Sequence, residues 1–403
     1  MISRRELLVL GSAGLLLPSR LARAGGDDRV FLFVYVDGGW DPAFVFTPMF
    51  GTGGWEEDGA TTSEVGGHTL VDHEDRPLVR DFFERFGDRV SLVHGLELPS
   101  VTHERCRQLL WTGAAVTGPA DWPTRIADAS QGWLGLPHLV LDGPNYAGEL
   151  GHRVVRAGDS GQLGKLLSGE FTGSSGSPLS SASRTRVHAA LAERSAILAG
   201  EPGSRGEHAL LYGNTLDDLR ELRAWPDLEL ASQTPGCTRD FGADFELAFT
   251  AFEEGLTRCA MLRHQGWCDQ GWDTHQRLEL QSANFEDLFE KLAQGMELLA
   301  RRPALQDRLV VVVASEMGRH PLLNAWGGKD HWTWTSLMMW GAGVRGGQAV
   351  GGLDEEGRGR PVDLQSGDAA DGGTPLGPEQ LGATLFALAG VEPEAEPIEA
   401  LLS

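Results

Sequence analysis

Two short apolar runs, at 30–36 and 309–314, dominate the hydrophobic pattern of the chain, and neither contains alternating polar positions. Apolar side chains on both faces are typical of strands buried inside a parallel sheet. Weaker apolar runs predict further strands at 90–93, 138–141 and 336–340. Apolar residues that recur every three or four positions predict helices at 78–86, 184–198, 210–223, 244–264, 284–302 and 377–389. The pattern therefore indicates an α/β protein.

Polar residues follow both dominant strands directly. In open α/β sheets, functional groups collect at the carboxyl ends of the strands, and carboxylates beside imidazoles at such an edge suggest a divalent metal site. The candidates are Asp37, Asp41, Glu316, Arg319, Asp330 and His331. For the stretch 37–41 alone, an Asp/Gly turn without chemistry is the alternative interpretation.

Two further motifs combine residues that are typical of functional sites. Asp273 and His275 are two residues apart, and on a turn both can converge on one ion; the alternative is a buried, salt-bridged histidine. Thr102 and His103 precede a predicted helix, where free N–H groups favour an anion or an activated nucleophile. There the alternative is that Ser100 or Thr102 simply caps the helix.

Length and charge limit the classes of function. In this chain of 403 residues we expect one large domain at 25–403, in which a low-complexity loop lies at 168–183 and residues 151–240 form an insertion or a lid. The formal net charge is −23. Because such an acidic surface repels phosphate backbones, nucleic acid is excluded as an expected partner.

The N-terminus predicts an export signal. Arg4 and Arg5 precede the apolar run 9–17, and Ala22-Arg23-Ala24 offers a small-x-small cleavage site. This is the twin-arginine pattern, so we expect the twin-arginine machinery to export residues 25–403 to the periplasm or medium, with no membrane span left after cleavage. A basic amphipathic helix is the alternative. Removing residues 1–24, which carry four arginines and one glutamate, takes +3 from −23 and leaves −26.

Four cysteines are too few for a disulfide scaffold, and no Cys-x-x-Cys motif indicates a thiolate metal site. Cys259 and Cys268 are a candidate pair for a bridge in an oxidising compartment. Any metal is therefore expected to be held by oxygen and imidazole.

Several segments together resemble a family of exported proteins known as "domain of unknown function 1501". They occur in order as GWDTH at 271–275, LVVVVASEMGR at 309–319, Asn324, GGKDHW at 327–332, GAGVRGGQAVGGLDEEG at 341–357 and LGATLFALAGV at 381–391. The leader, the strand and DGG turn at 30–41 and His103 resemble the N-terminal half of that family, whereas residues 151–240 match nothing. The family is in turn similar to the alkaline phosphatase and sulfatase superfamily.

The resemblance implies a doubly wound, three-layer α/β/α sandwich that hydrolyses phosphate or sulfate esters at a site for one or two divalent ions. By matched position it implies a metal-ligand role for Asp37, Asp41, Asp273, His275, Glu316, Asp330 and His331. It implies that Thr102 is the nucleophile, with His103 beside it, and that Arg319 holds a bound anion; the alternative for His103 is that it is a metal ligand. Zinc, manganese, magnesium and calcium all remain open. The expected substrate is a small anionic ester.

The chain also departs from the superfamily pattern. Asp273 and His275 are closer together than usual and are expected to serve one ion, and Glu316 stands where an Asp followed by His is usual. Without a Cys-x-Pro-x-Arg segment, a formylglycine sulfatase is excluded. Because a fold does not fix its reaction, a lyase or transferase and a non-catalytic, metal-stabilised binding or assembly protein stay open beside the hydrolase.

Overall fold

The structure is a computed structural model that describes residues 29–52, 57–130, 134–157, 180–200, 203, 206 and 241–403. The described strands are β1 Val30–Val36, β2 Thr61–Val65, β3 His68–Asp72, β4 Val90–Glu97, β5 His138–Val140, β6 Val154–Arg156, β7 Cys259–His264, β8 Leu309–Ser315, β9 Gly318–Leu323, β10 Lys329–Trp332, β11 Trp334–Gly341 and β12 Gln348–Gly351. The described helices are α1 Pro77–Phe86, α2 His103–Thr112, α3 Trp122–Asp128, α4 Ser181–Ala199, α5 Phe241–Glu253, α6 Leu280–Ala300, α7 Pro303–Gln306 and α8 Pro378–Leu388.

An eight-stranded sheet with the order β12-β4-β11-β8-β1-β7-β5-β6 forms the centre of the fold. Its strands are parallel to their neighbours except β11, which is antiparallel to both β4 and β8. Alternate residues of β1 enter two separate cores, one with α1, α5 and α6 and the other with α2, α3 and α8. The predicted α/β/α sandwich is therefore confirmed, and it places the ends of β1 and β8 side by side.

The prediction of one long helix at 244–264 is wrong, because this region forms a helix followed by a strand. Helix α5 ends at Glu253, and Gly255 then adopts a φ of +66°, a conformation that favours glycine and ends helices. The next apolar run forms β7, which pairs in parallel with β1 and is almost entirely buried. Short apolar runs of this kind do not distinguish a buried strand from a helix by periodicity.

Some predictions lie outside the described residues: the signal at 1–24, the helix at 210–223 and most of the insertion at 151–240. Helix α4 lies where a helix was predicted at 184–198. Among the described helices, none is both long enough and apolar enough to cross a membrane.

Candidate metal centre

Asp273 lies at the centre of a cluster of three histidines at the carboxyl edge of the sheet. The His331 Nε2 is 3.1 Å and the His275 Nε2 is 3.2 Å from Asp273 Oδ1, while the His103 Nε2 is 3.4 Å from Asp273 Oδ2. These residues come from three segments: the start of α2, the loop after β7 and the hairpin β9–β10. The structure thus brings together four of the predicted site residues, and all four side chains keep partial access to solvent.

Each of the three imidazoles is held at its other nitrogen by an oxygen acceptor. His103 Nδ1 is 2.8 Å from Glu316 Oε1, His275 Nδ1 is 3.2 Å from Asp330 Oδ1 and His331 Nδ1 is 2.7 Å from the Val101 carbonyl. A carbonyl or carboxylate only accepts, so the proton is assigned to Nδ1 in every neutral ring. This arrangement leaves each Nε2 lone pair directed into the cluster, as in histidines that bind metals.

Two observations show that the cluster fits a cation. The His275 and His331 Nε2 atoms are only 2.9 Å apart, a distance at which two lone pairs repel unless a proton or a metal lies between them. The His103 Nε2 is buried and has no hydrogen-bond partner among the described residues. The ligand atoms of His103, Asp273 and His331 all lie within 4.8 Å of one another, and His275 adds an imidazole beside His331. Imidazole and carboxylate donors suit zinc, whereas magnesium and calcium prefer oxygen ligands.

Electrostatics in the cluster also favour positive charge. The nearby Asp273 carboxylate and then the Glu316 carboxylate raise the pKa of His103 to about 9, against the opposing effect of burial. For Asp273, burial works to raise the pKa, but the close contacts with His103, His331 and Arg319 outweigh it and hold the pKa well below its usual range. Without a metal, a protonated imidazole therefore supplies the charge that an ion would supply, and metal binding must release that proton.

Glu316, predicted as a metal ligand, is instead placed behind His103. It is fully buried, and its carboxylate accepts from His103, from the Gly38 N–H at 3.0 Å and from the Ser315 hydroxyl at 3.2 Å. The close approach requires glycine, because Gly38 has a φ of +125° and a Cβ there would lie 2.9 Å from the Asp273 nitrogen. The DGG turn thus helps to hold the Glu316 carboxylate against His103.

Arg319, predicted to hold an anion, is also buried and engaged within the protein. Its guanidinium donates to the carbonyls of Gly38, Gly39 and Trp272 and to Asp273 Oδ1 at 2.8 Å. This contact fixes the Asp273 carboxylate and leaves the arginine directed at the protein rather than at solvent. Thr102, the predicted nucleophile, is exposed and adjacent to His103; as N-cap of α2 it makes no side-chain capping bond.

The remaining predicted ligands at the end of β1 are in other contacts. Asp37 accepts from the Tyr35 hydroxyl at 2.9 Å and from Arg263 at 3.1 Å. Asp41 is buried, caps the short helix Pro42–Phe44 and lies 2.6 Å from Lys329 Nζ. Asp330 belongs to the site only indirectly, through His275.

Two features of the site were not predicted from the sequence. The Val101 carbonyl accepts from His331, and the sequence could not predict this contact because every residue type has a backbone carbonyl. Asn324 had been noted in a motif without a role, and its amide nitrogen lies 2.9 Å from the His275 carbonyl and 3.0 Å from Asp330 Oδ1. The suggested bridge between Cys259 and Cys268 is wrong: Cys259 is a buried free thiol and Cys268 is disulfide-bonded elsewhere.

The fold and this cluster define an α/β/α protein with three histidines and one carboxylate gathered at the carboxyl edge of its sheet. Residues 220–395 match the family described as "Protein of unknown function (DUF1501)". The predicted family resemblance is thereby confirmed for that part of the chain, and the match includes 220–240, where no resemblance was predicted.

Several solved structures are similar to the chain at low sequence identity. The lipoteichoic acid synthase LtaP from Listeria monocytogenes is 7% identical over 98% of this chain and 80% of its own, with a TM-score of 0.40. A protein in the alkaline phosphatase superfamily from Vibrio parahaemolyticus is 10% identical over 100% and 78%, with a TM-score of 0.38. The PsFucS1 sulfatase from Pseudoalteromonas sp. is 12% identical over 100% and 76%, with a TM-score of 0.35. No curated protein matches the chain.

Proposed function

We propose that the protein is an exported, zinc-dependent hydrolase of small phosphate or sulfate esters. The observation that carries the proposal is the set of three imidazoles, each anchored at Nδ1, whose Nε2 atoms lie within 3.4 Å of one carboxylate. His103, His275, His331 and Asp273 would hold the ion. A bound zinc ion supplies Lewis-acid polarisation of an ester oxygen and a water of lowered pKa.

The surrounding residues have separable roles in this proposal. Glu316, Asp330 and the Val101 carbonyl keep the Nε2 lone pairs of the imidazoles directed at the ion. Arg319 orients Asp273 and neutralises part of its charge. The Thr102 hydroxyl is exposed and not used for capping, so it is the side chain available for attack on an ester at this edge.

Metal analysis and turnover on the mature protein, residues 25–403, test the proposal. After zinc reconstitution, we expect about one zinc per chain and hydrolysis of a p-nitrophenyl phosphate or sulfate. Both should be lost in Asp273→Asn and His331→Gln and kept in Asp37→Asn, a carboxylate at the same edge that the structure assigns to other contacts. Zinc binding by all three variants alike would refute the site.

A non-catalytic, metal-stabilised binding protein is the second candidate function. Four side-chain donors are enough to close a tetrahedral structural zinc site, and the buried Arg319 guanidinium is directed away from any substrate. Stoichiometric zinc with no turnover on phosphate or sulfate monoesters and diesters would favour this role.

Export is tested separately: Arg4→Lys combined with Arg5→Lys should retain the protein in the cytoplasm if the twin-arginine pathway is used.

A further inference from the structure

Two fully buried amide side chains, Gln281 and Asn284, lie about one turn apart at the start of α6. Residues three apart share one face of a helix, and buried polar groups are stable where they are hydrogen-bonded. The Asn284 Oδ1 accepts from the Trp267 N–H at 2.7 Å, and its Nδ2 donates to the Gly271 carbonyl at 2.9 Å. This face of α6 is therefore directed at the segment 265–279, which carries two of the metal-ligand candidates.

Gln281 contacts that segment immediately on both sides of Asp273. Its Nε2 lies 3.2 Å from the Trp272 carbonyl oxygen and 2.9 Å from the Thr274 hydroxyl oxygen. Thr274 is itself buried, so the amide and the hydroxyl meet away from solvent. The backbone that carries the Asp273 carboxylate is thus held both before and after that residue.

The same amide joins this segment to the turn after β1. The Gln281 Oε1 accepts from the Asp41 N–H at 3.0 Å, and its Nε2 lies 3.3 Å from the Gly39 carbonyl oxygen. An amide can fill this position because it donates and accepts at once, and the opposite orientation would pair oxygen with oxygen. Arg319 donates to the same Gly39 carbonyl and to the Asp273 carboxylate. Arg319 therefore holds the side chain of Asp273, whereas Gln281 holds its backbone.

We propose that Gln281 is a positioning residue for the metal centre, which fixes the backbone on both sides of Asp273 without contacting the ion. The inference rests on the proposed function and adds a residue on which zinc affinity depends. Zinc–oxygen bonds are about 2.0–2.2 Å long, so a small displacement of the Asp273 backbone withdraws the carboxylate from the ion. Outer residues that orient the ligands of a metal typically contribute about 10- to 100-fold to its affinity.

Zinc affinity, measured by competition with a chromophoric chelator on variants shown to be folded by circular dichroism, tests this role without any turnover. Gln281→Met matches the length of the glutamine side chain but removes its hydrogen bonds, and it should bind zinc about tenfold more weakly than the native protein. Thr274→Val removes one partner of the amide and should weaken binding by a smaller factor. The control Thr384→Val removes a buried hydroxyl that accepts from the Ile398 N–H at 2.9 Å; it should lower stability but keep the native zinc affinity.

The double variant Gln281→Met with Thr274→Val should bind zinc no more weakly than Gln281→Met alone, because both changes remove the same contact. Two losses that multiply in the double variant would overturn the inference, and so would equal weakening in Thr384→Val, which would assign the effect to stability. If Gln281→Met does not fold, native affinity in Thr274→Val overturns it. A native protein that binds no zinc refutes the proposed function and this inference together, whereas native affinity in Gln281→Met refutes the inference alone.

Discussion

At the scale of single residues, the side chains that contact the histidines of the cluster determine how those histidines are oriented. Asp37 and Glu316 both end central strands, yet only Glu316 touches an imidazole of the cluster. The difference arises from local partners, since Tyr35 and Arg263 already use the Asp37 carboxylate. Sequence reasoning grouped the two acids together because residue type and strand end are all that the chain displays.

Glu316→Gln should therefore weaken zinc binding about 10- to 100-fold, because an outer carboxylate that orients a histidine ligand contributes an effect of that size. Glutamine keeps the volume of the buried side chain but removes the charge that holds the His103 Nδ1–H. Competition with a chromophoric chelator measures the affinity. The matched control, Asp37→Asn, should bind zinc as the native protein does; a similar weakening there would contradict the assignment.

His94 provides a residue-scale prediction on stability. Burial, and then the neighbouring His68, lower the pKa of His94 to about 4, and its Nδ1 lies 3.0 Å from the Ser336 hydroxyl. The unfolded histidine titrates near 6.5, so below that pH the unfolded chain takes up a proton that the folded chain excludes. Stability is thus complete above about pH 6.5 and is lost as the pH falls toward 4.

Between pH 6.5 and 5, this group alone should cost about 2 kcal/mol of unfolding free energy. Urea unfolding at the two pH values should show a loss smaller by that amount in His94→Asn than in the native protein. The exposed His152→Asn variant is the control and should lose as much as the native protein. Equal losses in all three proteins would show that His94 does not exclude a proton.

At the scale of elements, the turn after β1 and the hairpin β9–β10 behave as one unit. Lys329 and Asp41 form a buried ion pair between them, and Arg319 binds the Gly38 and Gly39 carbonyls. These contacts fix Arg319, which donates to Asp273, and strand β10, which carries His331, against the end of the sheet. Their buried charges make the junction sensitive to loss of one partner.

Lys329→Met should accordingly destabilise the protein by about 3–5 kcal/mol, because it leaves the Asp41 carboxylate buried without its cation. Chemical denaturation measures the change. Adding Asp41→Asn to the same chain should recover much of the loss, and removing Arg358 from its exposed pair with Asp354 should cost no more than about 1 kcal/mol. No recovery in the double variant would show that Lys329 acts through packing instead.

Strands such as β1 and β8 were predictable because continuous apolar runs have few structural alternatives. Strand β7 was not, since its four-residue run Cys259–Leu262 continues the apolar spacing of α5, and Gly255 was the only local sign of a break. For the site, residue types identified Asp273, His275 and His331, but which carboxylate meets which imidazole depends on side-chain packing that no pattern along the chain encodes.

At the scale of the whole molecule, the candidate metal centre brings together segments that span more than two hundred residues of the chain. His103 starts α2, Asp273 follows β7 and His331 lies on the hairpin. The unfolded chain cannot hold these groups in one place, so an ion bound by them stabilises only the folded state. Binding then contributes RT ln(1 + [L]/Kd) to stability.

At a free zinc concentration one hundred times Kd, this contribution is about 2.7 kcal/mol and should raise the Tm by a few degrees. Differential scanning calorimetry with zinc, with magnesium and with EDTA measures it. Magnesium should give little or no rise, because three of the four donors are imidazoles. His275→Asn should abolish the zinc effect, whereas Asp37→Asn should retain it. If zinc raised the Tm of the two variants equally, the stabilising ion would lie elsewhere in the molecule. The three-histidine cluster would then bind a proton and no metal.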